Sequence, residues 1–235
     1  MASRTAGKEQ RKQERIRDEE QARRRLSVRA LRIRIVAGVA GALAVLGVIF
    51  ALSNLGTGSS SGPKGSRYPF AVGQPGPRQL APAINLRSTQ GGKFSLATQR
   101  GKTTLLYFQE GISCQPCWDQ LKDLQPHMRE FKALGVSQIV SITTDPLDAL
   151  HQKASDEQLG MPVLSDGDLA VSKAYGANQY GMMGDSRDGH SFVAVGPDGR
   201  IRWRADYGGS PKYTMYVPVA TLLADLRKGL ATSHS

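Results

Sequence analysis

Two cysteines stand in the 235-residue chain, Cys114 and Cys117, and they are three positions apart. If the segment that holds them is helical, both lie on one face a single turn apart, a separation that suits a disulfide. A thiol at the start of a helix meets the positive end of the dipole and unpaired backbone N–H groups, which favour the thiolate. A thiolate is the nucleophile of disulfide exchange and of peroxide reduction. In that chemistry Cys114, nearer the helix start, is the attacking thiol, and Cys117 resolves the mixed disulfide. The pair also fits two blander roles, as packing residues or as half of a metal site. A four-cysteine zinc site is excluded because no second pair exists, which leaves a Cys2His set with His127, His151 or His190. A disulfide-stapled scaffold is excluded for the same reason.

The segment around the pair reads Tyr107-Phe-Gln-Glu-Gly-Ile-Ser-Cys-Gln-Pro-Cys-Trp118. Pro116 is compatible with a first helical turn, where its missing N–H needs no partner. Glu110 and Asp119 flank the thiols and are in place to exchange a proton with Cys117, or to sit as solvated carboxylates near the helix start. Trp118 reads as a packing aromatic.

Positioning these thiols requires a strand that ends just before them. Thr103–Phe108 is a short apolar run with the look of a buried strand, and a helix is expected from Cys114 to Leu134, kinked at Pro126. Val136–Thr143 reads as a second strand, Pro146–Leu159 as a helix, Pro162–Leu164 as a short strand and Asp168–Tyr175 as a short helix. His190–Val195 and Arg200–Ala205 flank the turn signal Gly196-Pro-Asp-Gly199, and Val217–Leu230 closes the chain as a helix. Strands alternating with helices, followed by a hairpin, imply an α/β sandwich with parallel pairs and an antiparallel edge.

The net charge of +11 invites a nucleic-acid reading, but its distribution argues against one. Residues 1–34 hold twelve Lys/Arg against five Asp/Glu, a surplus of seven that leaves only four for the other 201 residues. The excess belongs to a basic tail rather than to a folded surface. After it, Ile35 to Leu55 runs without a charge. About 20 residues at ~1.5 Å each span the ~30 Å of a hydrocarbon core, which predicts one transmembrane helix over 35–55. A cleaved signal peptide is the competing reading, with Ala51-Leu-Ser53 as its small-residue site. Arg23, Arg24, Arg25, Arg29, Arg32 and Arg34 crowd the N-terminal flank, against Lys64 and Arg67 on the other. Positive flanks stay inside, so residues 1–34 are expected in the cytoplasm and the remainder outside the cell membrane. Residues 56–79, rich in Gly, Ser and Pro, read as a flexible linker to a domain over 80–232.

The stretch from Val72 onward resembles the alkyl hydroperoxide reductase/thiol-specific antioxidant (AhpC/TSA) group of thioredoxin-fold proteins, and their membrane-anchored relatives. The likeness rests on Leu80–Leu86 with Gly91–Leu96 as an opening hairpin, Gly101–Phe108 as a central strand, Ser141–Pro146, Leu164–Asp166, Lys173–Gly176, and Phe192–Ile201 as a final hairpin. It implies a thioredoxin-like three-layer sandwich around a central mixed β-sheet. It also implies a cofactor-free thiol–disulfide oxidoreductase or peroxidase, with protein disulfides or a thioredoxin-type reductant as partners. Peroxiredoxins share a Pro-x-x-x-Thr/Ser-x-x-Cys signature. Here Tyr107 and Gly111 precede Cys114 at those positions, and Glu110 and Cys114 precede Cys117. Thioredoxin-like sites also place a cis-proline before the penultimate strand, where this chain has Asp188-Gly-His-Ser191. Gly189 and His190 are the candidates for that place. The membrane-anchored copper chaperones of this architecture also carry two Cys and a His there, which makes Cys114, Cys117 and His190 an alternative copper set without turnover.

Overall fold

The computed structural model describes residues 67–232, which fall within one compact unit, Ser59–Ser235. The expected tail over 1–34, the transmembrane helix over 35–55 and the linker up to residue 66 lie outside the described residues. Among the described residues no helix is long and apolar enough to cross a membrane.

Seven strands form one sheet: β1 (Asn85–Ser88), β2 (Lys93–Ser95), β3 (Thr103–Phe108), β4 (Val136–Thr143), β5 (Val163–Ser165), β6 (Ser191–Val195) and β7 (Ile201–Asp206). Their order is β2-β1-β5-β4-β3-β6-β7. The pairs β3–β4 and β4–β5 are parallel; β1–β2, β1–β5, β3–β6 and β6–β7 are antiparallel. The sheet is therefore mixed, with the parallel pairs inside and the hairpins at its edges. The helices are α1 (Gln115–Leu124), α2 (Met128–Ala133), α3 (Leu147–Asp156), α4 (Ala170–Ala174) and α5 (Val219–Thr232).

The central strand shows why the sheet is covered on both faces. Leu105, Leu106, Tyr107 and Phe108 are all fully buried, and successive side chains point to opposite faces. Leu105 and Tyr107 join a core with Trp118, Leu121 and Leu124 of α1, Phe131 of α2, Leu150 of α3, and Leu222 and Leu226 of α5. Leu106 and Phe108 join a second core with Val171 of α4, Tyr175 and Ala177. Each such side chain removed from water contributes about 1.5–3 kcal/mol. A strand without alternating polarity is stable only between two apolar layers.

Two expectations change in detail. The helix expected over Cys114–Leu134 is split: α1 ends at Leu124, a 3-10 turn spans Gln125–His127, and α2 follows. Pro126 cannot donate into the helix ladder, and its ring crowds the preceding turn. Residues 68–79 are no free spacer either. Tyr68 and Phe70 pack on the core, Ala71 bridges Asp206, the Gly73 N–H donates to Asp206 Oδ2 at 2.7 Å, and Arg204 Nη1 donates to the Pro75 carbonyl at 3.1 Å. The buried Arg204–Asp206 pair on β7 attracts this segment, a partnership invisible in its Gly/Pro composition.

Candidate active site

The pair sits where β3 has ended and α1 begins. Cys114 is the N-cap of α1, and its carbonyl accepts the N–H groups of Cys117 at 3.0 Å and Trp118 at 3.3 Å. Pro116 occupies the first turn, as its chemistry allows. The two sulfurs are bonded to each other, with Cα atoms 5.3 Å apart. Cys114 is 6% exposed and Cys117 0%, so both are buried, the first slightly less completely. Met215 packs against both.

A short loop, Gln109–Ser113, carries the chain from strand to helix and is held from several sides. Gly111 has φ +96°, a conformation open to glycine, and a side chain there would run into the Asp145 carboxylate. Asp145 Oδ2 accepts the Ile112 N–H at 2.8 Å, and Oδ1 accepts Arg187 Nη1 at 2.9 Å. The same Arg187 nitrogen donates to the Glu110 carbonyl at 3.1 Å. Gln109 Oε1 accepts the Gly111 N–H at 3.1 Å, and the Trp118 indole N–H donates to the Gly111 carbonyl at 3.0 Å. Trp118 is thus a buried clamp on the loop, with the Lys153 ammonium 5.5 Å above its ring.

The two flanking carboxylates part company. Asp119 lies on the exposed side of α1 and accepts from Gln115 Nε2 at 3.1 Å. Glu110 is buried, and its carboxylate accepts the Met182 N–H. Neither makes a hydrogen bond to a cysteine. On the outer side, Glu157 gathers Lys153, Lys122 and Gln115, and these partners hold its carboxyl down to about 2. That network ties the first turn of α1 to the end of α3.

Beneath the pair lies Tyr107, whose hydroxyl stands 3.4 Å from the Cys117 carbonyl and 3.1 Å from His190 Nδ1. Burial, with help from the Glu110 charge, pushes the Tyr107 phenol well above its usual range. Burial alone depresses His190 to about 3, so its imidazole is neutral. The segment before β6 contains no cis bond; the cis peptides are Gln74–Pro75 and Ser210–Pro211. Of the two residues in the expected cis-proline place, Gly189 makes room for the Tyr180–Gly181 backbone, which a side chain would strike. His190 is the one linked to the cysteines, through Tyr107. Among the described residues no group of three or more His, Cys, Asp or Glu side chains is gathered to hold a metal ion. The alternative set Cys114, Cys117 and His190 is therefore not assembled: the sulfurs bond each other and His190 turns to Tyr107. The same holds for the sets with His127 or His151.

Asp188 is fully buried with neither carboxyl oxygen partnered, and the Ser172 hydroxyl beside it donates to Asp166 Oδ2. Burial is the main reason its pKa stands well above 3.8, with the Asp166 charge adding to it. A carboxyl whose folded value is raised binds protons more tightly folded than unfolded, so its contribution to stability is lost as pH rises above 3.8. Asp188→Asn should therefore raise the melting midpoint at pH 7 by several degrees and leave it unchanged near pH 3.5. Thermal unfolding at the two pH values checks this; a lower midpoint at pH 7 would contradict it.

A cavity of about 230 Å³ opens at the far end of β3, among Asn85, Leu96, Arg100, Lys102, Thr104 and Gly196. It does not touch the cysteines.

Residues 77–204 match the AhpC/TSA family. The chain belongs to the AhpC/TSA family. A Mycobacterium tuberculosis protein named as a candidate peroxiredoxin is 33% identical over 130 residues, 53% of this chain and 81% of that one. Peroxiredoxin Bcp of Escherichia coli K12 is 30% identical over 125 residues, 52% of this chain and 80% of that one. The crystal structure of peroxidoxin BcpB from Mycobacterium tuberculosis shares the fold, with a TM-score of 0.54 at 18% identity over 65% of this chain and 96% of that one. This AhpC/TSA domain is an enzyme of the thiol oxidoreductase class. The Pro-x-x-x-Thr/Ser-x-x-Cys signature fits neither cysteine, with Tyr107 and Gly111 at its positions before Cys114 and Glu110 and Cys114 before Cys117.

Sequence reading missed Tyr107, Asp145, Arg187 and Met215 as parts of the site. A signal for Asp145 was present: β4 lies parallel to β3 with Phe108 opposite Ile142, so residues just past Thr143 must flank the loop after Phe108. Arg187 and Met215 come from distant loops and leave no local mark.

Proposed function

We propose that this chain is a thiol–disulfide oxidoreductase working through the Cys114–Cys117 couple, with Cys114 as nucleophile and Cys117 as resolving thiol. The observation that carries it is the bonded pair across one turn at the start of α1, with Cys114 6% and Cys117 0% exposed. In the reducing direction the Cys114 thiolate attacks a partner disulfide and releases one partner thiol. Cys117 then attacks Cys114 Sγ, releases the second partner thiol and leaves the intramolecular disulfide. Because Cα atoms 5.3 Å apart already suit that bond, closure needs no unfolding of the loop. Suitable partners are protein disulfides and thiols, with a thioredoxin-type protein to return electrons.

Peroxide reduction is the second reading, favoured by relatives named peroxiredoxins. A cysteine thiolate would take one peroxide oxygen as sulfenic acid while the other leaves as water or alcohol, and the second thiol would close the disulfide with loss of water. Rapid mixing of reduced protein with hydrogen peroxide, beside a small disulfide, separates the two. The disulfide should react at least about 10-fold faster than with a free thiol of ordinary pKa, and peroxide no faster than with that thiol. Fast peroxide reaction with slow disulfide reaction would reverse the assignment.

The sequence further supports a single-pass anchor at residues 35–55, with the domain extracytoplasmic and residues 1–34 cytoplasmic. Alkaline phosphatase fused after Ser235 in a bacterial host should be active and sediment with membranes. An inactive or freely soluble fusion would contradict the anchor.

A further inference from the structure

Exchange at Cys114 needs a partner sulfur in contact with Cys114 Sγ, yet both cysteines are buried. A group that packs on the pair must move before a partner arrives. Among the described residues the buried apolar side chains form three clusters. The cysteines belong to neither large core. Their cluster holds one further side chain, Met215, which is itself 6% exposed.

Met215 lies on the connection between β7 and α5, residues 207–218, which is tied down at both ends. At the first end the Tyr207 and Gly208 N–H groups donate to the His190 carbonyl at 2.9 and 3.1 Å. At the second, the Val217 N–H donates to Oε1 of the buried Gln120 at 2.7 Å, and the Tyr216 hydroxyl donates to Asp123, both on α1. Between the ties, Ser210, Pro211, Lys212 and Tyr213 are exposed. The Thr214 N–H reaches back to the Tyr207 carbonyl at 3.3 Å, but the N–H and carbonyl of Met215 make no hydrogen bond among the described residues. Its hold on the pair is therefore side-chain packing alone. Gly208 makes the room, since a Cβ there would stand 3.0 Å from the Met215 methyl. An unbranched, adaptable thioether suits a cover that opens, because it changes rotamer without moving the backbone.

Building on the thiol-exchange reading above, we propose that Met215 controls access to the Cys114–Cys117 couple: its side chain covers the disulfide and swings out before a partner sulfur reaches Cys114. It is a positioning residue and takes no part in the bond changes. In reduction of the couple, a partner thiolate attacks Cys114 Sγ and the Cys114–Cys117 bond breaks. The electron pair leaves on the Cys117 sulfur, which takes up the proton that the partner thiol gave to solvent. A second partner thiol then attacks the partner sulfur of the mixed disulfide and frees Cys114, so the partner is oxidised to a disulfide and the couple is reduced by two electrons. Exposing a buried methionine side chain is disfavoured by about 10–100-fold, and the covered pair exchanges more slowly than an open one by that factor.

Oxidised full-length protein is mixed with excess dithiothreitol at pH 7, quenched at intervals with an alkylating agent and weighed intact. Met215→Ala should be reduced about 10–100-fold faster than the wild type. Met215→Leu, which keeps the volume, should return the rate to within about threefold of the wild type. Leu226→Ala, a loss from the large core at α5, should stay within about twofold of the wild type. A Met215→Ala protein no faster than the wild type would overturn the role. Equal acceleration in Leu226→Ala would overturn it too, by tracing the gain to a looser fold. If Met215→Ala does not fold, the wild type decides: reduction as fast as that of oxidised glutathione would show that nothing covers the pair. Reduced protein that leaves the disulfides of insulin intact, in wild type and Met215→Ala alike, would sink the thiol-exchange reading, while the reduction rates would still report on the cover.

Discussion

Replacing Cys114 with serine removes turnover of a disulfide substrate by about 1,000-fold or more, while Cys117→Ser keeps the first attack and stops at the mixed disulfide. A hydroxyl is far less acidic than a thiol, so at neutral pH Cys114→Ser has no anion to offer. The loss corresponds to about 4 kcal/mol or more of transition-state stabilisation. The asymmetry between the variants follows from position: Cys114 is the N-cap of α1 and slightly less buried, while Cys117 lies inside the helix and is fully buried. Incubating each reduced variant with a disulfide-bonded protein and separating the products without reductant shows the difference. A covalent adduct should accumulate with Cys117→Ser and be absent with Cys114→Ser. The reverse pattern would make Cys117 the attacking thiol.

Gly111→Ala carries the largest expected cost to stability, because two effects coincide there. A residue other than glycine at φ +96° costs about 1–2 kcal/mol. The new methyl would also lie 1.7 Å from Asp145 Oδ2 and 2.6 Å from Thr143 Oγ1, so Asp145 must abandon Ile112 and Arg187 or the loop must move. Overpacking and a broken buried network add about 2–3 kcal/mol. A total near 4 kcal/mol lowers the melting midpoint by about 10 °C in a domain of this size. Gly91→Ala is the control, since Gly91 has φ +88° and nothing within 4 Å of the added atom. It should lose only the conformational part. Equal losses in the two variants would mean that Asp145 does not brace the loop.

The parts of this architecture that were legible in sequence are those whose stability is local or two-sided. Thr103–Phe108 and Val136–Thr143 are strands over the ranges expected, because continuous apolar runs of that length belong between two layers. The cysteine spacing and Pro116 marked the first turn of α1 for the same reason: each acts within its own segment. Long-range polar pairing was not legible. The Asp145–Arg187 link spans 42 residues and the Tyr107–His190 link spans 83, and neither follows from periodicity. His190 read as an ordinary hydrogen-bonded residue at a strand start; its unpartnered nitrogen appears only when burial is known. Glu110 and Asp119 looked equivalent beside the motif, but one turns inward to the Met182 N–H and the other outward to solvent. Composition also misplaced the domain edge, since Gly, Ser and Pro in residues 68–79 conceal a segment anchored by Arg204 and Asp206.

The most direct test of the Cys114–Cys117 couple is its redox equilibrium. Protein is equilibrated across a series of glutathione ratios, quenched with an alkylating agent and weighed intact. A single two-electron transition is expected, in which both cysteines of the monomer gain the label together. A transition that yields disulfide-linked dimers, or cysteines that stay unlabelled across the whole range, would contradict a working dithiol.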